Sequence, residues 1–359
     1  MIFFGASVLL YTSSKKDVKK MEINTKDVTE KKYVIKFVWP MVMMALFIVI
    51  GVTIGIYCMT FKDVRGPTYI FTFVAFIVGG LGLGPGAHRY FCHRSFKTNR
   101  AVKIFLIFCQ QLSGIRTVSM WVRVHRTHHK FADTDKDPTS MKYGLLHAAI
   151  GWFLIEQTPE CKRELERIYM DDITADSDLN FQLKYYPILY VLITIALPTI
   201  IPYYFWNETI LIGFGLNMIR YGLNIYQQIV GNSFLHWNGR KPYDKTGTSI
   251  DNDFYNLITL GEGYHNFHHA FPFDYRANEL FGIAHITSLS SLFINLLAFF
   301  GLIYDRKFAP RHMIARRVAR TGDGSHILSS TYLKESKLWD YGDPDINPDD
   351  EKDMKNGKL

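Results

Sequence analysis

The sequence predicts an all-α integral membrane protein in which four transmembrane helices, arranged as two hairpins, carry a cytosolic helical cap with a histidine-rich dinuclear metal site. Three observations lead to this fold class. The chain contains four long apolar runs, the runs within each pair are joined by only a few residues, and histidines are concentrated beside the other ends of the runs. With 359 residues, 48% of them hydrophobic, the chain is long enough to form one large domain.

The four apolar runs are the predicted transmembrane helices, at residues 37–61, 66–87, 185–206 and 209–235. The first three contain no charged residue, and the fourth contains only Arg220. Because a helix needs about 20 apolar residues to cross a bilayer, each run is long enough to do so. Four such runs are rare among the buried helices of soluble proteins, so the lipid bilayer is an expected partner.

The remaining segments complete the predicted organisation around a membrane domain at residues 36–325. A fifth uncharged run, 286–304, has many serine and threonine residues in its first half, and we expect it to lie on or near the membrane interface. Residues 1–35 begin with an apolar stretch too short to cross a membrane and continue as a lysine-rich stretch, which predicts a flexible segment. Residues 326–359 end in an acidic stretch and are predicted to form a polar, disordered tail.

The positions of the histidines predict the topology. Histidines follow the second run, precede the third and follow the fourth, whereas the runs of each pair are joined by only residues 62–65 and 207–208. If both pairs cross the membrane, all these histidines lie on one side of it. The lysine-rich N-terminus and the long basic loop share that side, so the positive-inside rule places the metal site and both termini in the cytosol.

Nine histidines form the candidate metal site. Two triplets have the pattern H-x-x-H-H, and since residues three and four apart share a helix face, each triplet is predicted to direct three imidazoles at one point. His88 and His93 are five residues apart and diverge around a straight helix, so they either straddle two metals or lie where the helix bends. The nine candidate ligands are His88, His93, His125, His128, His129, His236, His265, His268 and His269.

The number of imidazoles predicts two metal ions, because one ion rarely takes more than four to six ligands. Imidazole suits zinc, copper, iron and nickel alike, whereas a haem needs only one or two axial ligands. The nearby carboxylates, including Glu262, form no H-E-x-x-H pattern, which argues against zinc-dependent hydrolysis. A metal pair beside lipid instead favours oxidation of a hydrocarbon by iron and dioxygen.

The charge and the cysteines limit the other partners. The formal net charge of +8 suits an anionic membrane surface or an anionic substrate or partner, and we expect no nucleic-acid partner. The four cysteines are scattered and form no C-x-x-C pair, so no disulfide framework is predicted and a reducing compartment fits.

Four stretches of the sequence resemble the acyl-CoA desaturases, the family of stearoyl-CoA desaturase. They are "HRYFCHRSFKT", "WVRVHRTHHKFADTDKDP", "GNSFLHWNGRKPYDK" and "GEGYHNFHHAFPFDYRANE", and the resemblance covers roughly residues 35–325. It implies a protein of the endoplasmic reticulum membrane that holds two iron ions. It also implies insertion of a cis double bond, with Δ9 as the first expectation, into a saturated long-chain fatty acyl-CoA. Dioxygen would be the oxidant, with electrons from cytochrome b5 and its NAD(P)H-dependent reductase.

The same resemblance implies roles for individual residues. The nine histidines would be the iron ligands, and Asn232 would reach a metal through water. Phe76 and Gly80 lie on one stripe of the second helix together with Gly84, a pattern that fits either an acyl tunnel or close helix packing. Trp121 matches a tunnel-lining position, Arg123 a position near CoA, and Lys241 a position where the family commonly has arginine. Glu262 and Asn266 are candidates for orienting ligands or for capping helices.

The chain departs from the family pattern near the substrate rather than at the histidines. The departures are Ile115, Arg116, Thr117, Val124, Thr139, Gln228 and Ile229. They leave the acyl chain length and the position of the double bond open.

Two alternatives to this function remain. The first is another membrane di-iron oxidase, either a lipid hydroxylase or a desaturase of different regiospecificity. Hydroxylation requires only that the carbon radical recombine with oxygen instead of losing a second hydrogen. The second is a metal transporter or sensor, which would place polar ligands inside its membrane runs, whereas here the histidines lie outside them.

Overall fold

The apolar runs fold as long helices in a computed structural model of the chain, which describes residues 35–279 and 287–330. The four long helices are α1 (Trp39–Phe61), α2 (Gly66–Cys92), α7 (Ser177–Trp206) and α8 (Ile210–Asn232). Proline lies in the first turn of α1 and of α2, where its missing N–H has no intrahelical partner to lose. Helix α2 changes from an α-helix (Gly66–Leu81) to a π-helix (Gly82–Cys92), and α7 contains a π-helical section (Tyr190–Ala196).

The short connections within each hairpin meet at one end of the bundle. The carboxylate of Glu208 accepts hydrogen bonds from the Arg65 backbone N–H at 3.0 Å and from the Thr68 hydroxyl at 2.7 Å. The indole of Trp206 donates to the same hydroxyl at 2.8 Å. Since His88 lies at the far end of α2, the two connections lie at the opposite end of the bundle from the histidines, as the sequence predicts.

The composition of the long helices fits a bilayer. Within the described part of the chain, three helices are long and apolar enough to cross a membrane: α1, α2 and α7. Phe205, in α7, is 79% exposed and Ile50, in α1, is 60% exposed, as expected of lipid-facing side chains. Helix α8 has 23 residues but is not among these three. Arg220, the charged residue of α8, is fully buried and donates to the Leu112 carbonyl. The charged side chain therefore faces the interior of the bundle. The count of four spans stays a prediction.

Shorter helices complete the described fold. They are α3 (Arg100–Ser113), α4 (Val118–Phe131), α5 (Pro159–Arg167), α6 (Asp171–Thr174), α9 (Asp253–Ile258), α10 (His265–Ala270), α11 (Leu289–Phe299) and α12 (Arg311–Thr321). A helical segment also runs from His147–Gly151 into Trp152–Leu154, and 3-10 turns occupy Met141–Tyr143, Phe234–His236 and Ile327–Ser330. Strands β1 (Lys97–Thr98) and β2 (Ile303–Tyr304) pair antiparallel and are a small exception to the predicted all-α class.

A sharp turn places α4 against α2. Gly114 follows the last residue of α3 and has a φ of +77°, which favours glycine. Thr117 precedes the first residue of α4 and caps it, because its hydroxyl accepts the Met120 N–H at 3.2 Å. The two helices meet at 84° and are together apolar enough for a broken span or a re-entrant loop, which the hydropathy runs did not predict. Arg126, fully buried in α4, donates to the Cys92 carbonyl at 3.3 Å and thereby ties α4 to the end of α2.

The structure describes most of the fifth apolar run but little of the two chain ends. In the run, α11 has 11 residues, too few to cross a bilayer, and β2 follows it. The interfacial position of this run stays a prediction. The predicted flexible segment, apart from residue 35, and residues 331–359 of the predicted tail lie outside the described residues. Residues 326–330 are described, and His326 contacts Glu279 at 2.8 Å, so the packed domain extends slightly beyond the predicted boundary at residue 325.

Candidate metal centre

A π-helix brings the first two histidines together. In π-helices the backbone hydrogen bonds join residues five apart, so those residues lie above one another. The His93 N–H donates to the His88 carbonyl at 3.1 Å, and the two rings have centroids 4.9 Å apart. Pro85, inside this segment, has no N–H to donate to an ordinary α-helical bond. The sequence left two possibilities for this pair, that it straddles two metals or that the helix bends between the two histidines. The π-helix brings both rings to one side without either.

All nine predicted histidines converge, in two clusters. Cluster A consists of His88, His93, His125, His129 and His268, and cluster B consists of His128, His236, His265 and His269. Within each cluster, one nitrogen from every ring lies within 4.8 Å of the others. Each cluster could hold a metal ion.

The division of the triplets contradicts one prediction. Each H-x-x-H-H triplet was expected to direct three imidazoles at one point. In α4, His125 and His129 belong to cluster A and His128 to cluster B. In α10 the assignment is reversed, since only His268 belongs to cluster A. The prediction is wrong because residues four apart are almost in line along a helix, whereas the residue three positions on lies to one side. Each triplet therefore serves both clusters.

The distances between ring nitrogens fit metal ligation. The Nε2 atoms of His88 and His268 are 2.8 Å apart, and those of His129 and His268 are 2.9 Å apart. In cluster B the Nε2 atoms of His265 and His269 are 3.1 Å apart. Two nitrogens that each lie about 2.1 Å from one ion, at right angles, are about 3 Å apart. The Nε2 of His236 is buried and has no hydrogen-bond partner among the described residues, as expected of a ligand atom.

Burial favours the neutral, metal-binding form of these imidazoles. Burial and the neighbouring imidazoles lower the pKa of His265, His268 and His269 well below its ordinary value. All three are therefore neutral near pH 7, and each has a lone pair available for a metal.

Carboxylates accept hydrogen bonds from the outer nitrogens of three candidate ligands. His88 Nδ1 lies 2.9 Å from Glu262, His128 Nδ1 lies 2.9 Å from Asp137, and His236 Nδ1 lies 2.9 Å from Asp133. Such contacts set the tautomer, so that the Nε2 lone pair faces the cluster.

Glu262 is itself held by an arginine. Arg89, 1% exposed, donates to Glu262 at 2.7 Å and to the Gly261 carbonyl at 3.0 Å. Burial would raise the pKa of Glu262, but the charge of Arg89 and the contact with His88 lower it to about 2. Glu262 is therefore ionised, in agreement with its predicted orienting role. Asn266 instead accepts the Tyr243 N–H at 2.8 Å and supports a loop.

The orienting roles of two aspartates and two threonines were missed by the sequence analysis. Asp133 accepts from Thr248 as well as from His236, and although burial opposes ionisation these bonds hold the pKa of Asp133 below its ordinary range. Thr139, one of the departures from the family pattern, lies 3.2 Å from the Nδ1 of His128. The acidic stretch after the second histidine box was the one sign of these roles in the sequence. The contact between Asp133 and Thr248 joins residues 115 positions apart, so local pattern does not reveal it.

A cavity of about 70 Å³ opens onto both clusters. His88 and His125 of cluster A and His128 and His265 of cluster B line it. Gly80, Trp121 and Asn232 line it too, together with Gln228. The first three are among the site residues predicted from the sequence.

Three predicted substrate residues lie away from this cavity. Within the described chain, Phe76, Arg123 and Lys241 are not part of its lining. The Phe76 carbonyl accepts from Asn224 at 3.1 Å, Arg123 donates to the Leu165 carbonyl at 2.7 Å, and Lys241 donates to the Gly247 carbonyl at 2.8 Å. They remain proposals for more distant parts of a substrate.

The glycines of α2 serve close packing as well as the cavity. A Cβ at Gly84 would press on the Ser290 hydroxyl and lie 2.7 Å from the Glu262 oxygen that accepts from Arg89, so glycine makes room for both groups. A Cβ at Gly80 would lie 2.6 Å from the end of Leu260. Close packing therefore applies at both glycines, and both also line the cavity. An acyl tunnel along this stripe stays a prediction.

A helical membrane bundle that closes around two clusters of converging imidazoles defines the class: an integral membrane protein with a histidine-rich candidate metal centre. More particularly, the chain belongs to the fatty acid desaturase family, whose profile matches residues 65–285. The chain is therefore a desaturase, an oxidoreductase of lipid metabolism, and the metal transporter or sensor is disfavoured.

Curated relatives agree with this family. The chain is 35% identical over 335 residues to an acyl-CoA Delta-9 desaturase of Acheta domesticus, covering 92% of this chain and 90% of that protein. It is 38% identical over 282 residues to an acyl-CoA Delta(11) desaturase of Choristoneura rosaceana, covering 79% and 83%. It is 34% identical over 318 residues to an acyl-CoA Delta12-desaturase of Acheta domesticus, covering 88% and 85%. Similar identity therefore accompanies three different double-bond positions.

Proposed function

We propose that the protein inserts a cis double bond, at Δ9, into a saturated long-chain fatty acyl-CoA, using dioxygen and electrons from cytochrome b5. The observation that carries this proposal is the pair of imidazole clusters that share one small cavity, in a chain whose relatives are named acyl-CoA desaturases. The two clusters would each hold one iron ion, with Asn232 reaching one of them through water. Iron, when bound, supplies the redox chemistry needed to break an unactivated C–H bond.

The electron balance supports an external donor. Forming a double bond removes two hydrogen atoms, and with them two electrons, from adjacent methylenes. Reducing dioxygen to two waters takes four electrons and four protons. Two electrons and two protons must therefore come from elsewhere, which two one-electron transfers from cytochrome b5, reduced by its NAD(P)H-dependent reductase, would provide.

The chain's own residues have positioning roles in this reaction. Glu262, Asp133 and Asp137 hold three imidazoles by their Nδ1 atoms, so the ligand nitrogens face the cavity before a metal arrives. Trp121 forms part of the cavity wall and, with the buried histidines, restricts the access of water. Because methylenes offer no polar group for recognition, the reacting carbon is selected by geometry.

Charge supports the proposed position of the CoA end and the proposed orientation in the membrane, whereas the resemblance to acyl-CoA desaturases supports the proposed organelle. Arg123 and Lys241 are cationic and lie away from the cavity, which suits the anionic CoA end of the substrate. The relatives named Δ9 favour that position, whereas the Δ11 and Δ12 relatives show that family membership alone does not set it. We place the protein in the endoplasmic reticulum membrane, with the cap and both termini in the cytosol.

The test is expression in a yeast strain that lacks its own desaturase, followed by mapping of double bonds by mass spectrometry. The wild-type chain should produce new monoenes, mainly Δ9. His268→Ala should produce none, whereas His312→Ala, at an exposed histidine outside both clusters, should match the wild type. Folded, iron-loaded protein that yields no new unsaturation would refute the proposal. Hydroxylated fatty acids instead would favour the membrane di-iron hydroxylase.

A further inference from the structure

A hydrogen-bonded chain of three side chains crosses the wall of the cavity. The indole Nε1 of Trp121, in α4, donates to Gln228 Oε1 at 2.6 Å. Gln228 Nε2, in α8, donates to Asn232 Oδ1 at 2.7 Å. All three residues line the cavity onto which both clusters open. We call this chain the amide relay.

The donor and acceptor roles of the indole and the two amides fix the direction of the hydrogen bonds in the amide relay. An indole nitrogen can only donate, so the Gln228 oxygen must face Trp121. The Gln228 nitrogen then faces Asn232, and the Asn232 oxygen must face Gln228. Reversing one amide alone would place a donor against a donor and lose a hydrogen bond between partly buried side chains. The Asn232 amide nitrogen is therefore the group that remains free to bind in the cavity.

We propose that Gln228 is a positioning residue that makes Asn232 a hydrogen-bond donor toward an oxygen or small anion in the cavity. This deepens the proposed function, on which it rests, because the bound oxygen or anion would lie between the two clusters. An amide N–H can donate to the oxygen of a water molecule, and it binds an oxygen that carries negative charge more strongly. Gln228 is one of the departures from the family pattern noted in the sequence.

Four variants separate positioning from packing. Gln228→Met keeps the length of the side chain but removes both hydrogen bonds. Asn232→Leu removes the final donor and leaves the bond between Trp121 and Gln228 possible. The double variant completes a mutant cycle, which isolates the effect that Gln228 exerts through Asn232. Gln157→Met is the matched control, because Gln157 donates to the Trp152 carbonyl at 2.8 Å and lies outside the cavity lining.

The first readout is azide affinity of the iron-loaded protein, measured by optical titration. Asn232→Leu should weaken azide binding about tenfold, as expected for loss of a hydrogen bond to a charged group. Gln228→Met should weaken it at least about threefold, since Asn232 is then free to turn its carbonyl inward. The double variant should match Asn232→Leu, and Gln157→Met should match the wild type. Unchanged affinity in Gln228→Met, or additive losses in the double variant, would overturn the proposal.

The second readout needs no metal. Ultraviolet resonance Raman difference spectra report the hydrogen bond of an indole N–H. In the metal-free protein, Gln228→Met should shift the Trp121 contribution to that of an unbonded indole, and Asn232→Leu should not. A band that does not move in Gln228→Met would refute the relay whether or not metal binds. A shifted band in a protein that fails to take up iron would refute the proposed function and support the relay.

Discussion

Replacing Glu262 by glutamine tests how the protein arranges its ligands before metal binding. The carboxylate accepts from Arg89 at 2.7 Å and from His88 Nδ1 at 2.9 Å. A glutamine has only one oxygen, so its amide nitrogen must face one of these two donors. The pKa of Glu262 is lowered from its ordinary value of 4.5 to about 2, which corresponds to about 3 kcal/mol in favour of the charged form. We expect Glu262→Gln to lower the free energy of unfolding by about that amount.

The same variant should also weaken metal binding. With His88 no longer held by a carboxylate, we expect a 10- to 100-fold loss of iron affinity, on the order seen for such outer contacts. Iron retention against a graded chelator would measure the affinity, and chemical unfolding of the metal-free protein would measure stability. Glu279→Gln is the matched control, because Glu279 also accepts from a histidine, His326, and from the Tyr243 hydroxyl, outside both clusters. Equal iron retention in the two variants would refute the reasoning.

Three further predictions concern the second cluster, pH and the cavity. Asp133→Asn should loosen His236 and lower the iron content from two ions toward one per chain, measured by elemental analysis; unchanged content would contradict it. The depressed pKa values of the α10 histidines mean that the unfolded chain takes up protons first, so the metal-free protein should lose stability as pH falls below about 6.5. Thermal unfolding at pH 7.5 and 5.5 would show this, and equal midpoints would exclude it. Gly80→Ala should press on Leu260 and shift the products toward shorter acyl chains in fatty-acid profiles, whereas an unchanged profile would exclude Gly80 from chain selection.

The helices and the set of converging histidines were predictable because each depends on local pattern. Uncharged runs predicted the four long helices, although α7 begins at Ser177, eight residues before the predicted start, and α2 ends at Cys92, five residues after the predicted end. The parity of the runs predicted that all nine histidines lie on one side. The arrangement within the site was not predictable in the same way. The sequence argument assumed α-helical spacing, so it could not foresee that a π-helix brings His93 over His88.

Contacts between distant segments account for the rest of what was missed. Thr248 reaches Asp133 across 115 residues, and Trp121 reaches Gln228 across 107. No periodicity within one helix encodes such a pair. Gln228 was visible in the sequence only as a departure from the family pattern, and its role required the positions of both partners.

The most direct test of the central claim is the metal content of the purified full-length protein, determined by mass spectrometry of the elements after expression with ample iron. The structure groups five histidines around one point and four around another. We therefore predict two iron ions per chain, and a loss of iron in His268→Ala but not in His312→Ala. One ion per chain, or zinc in place of iron, would contradict a di-iron desaturase.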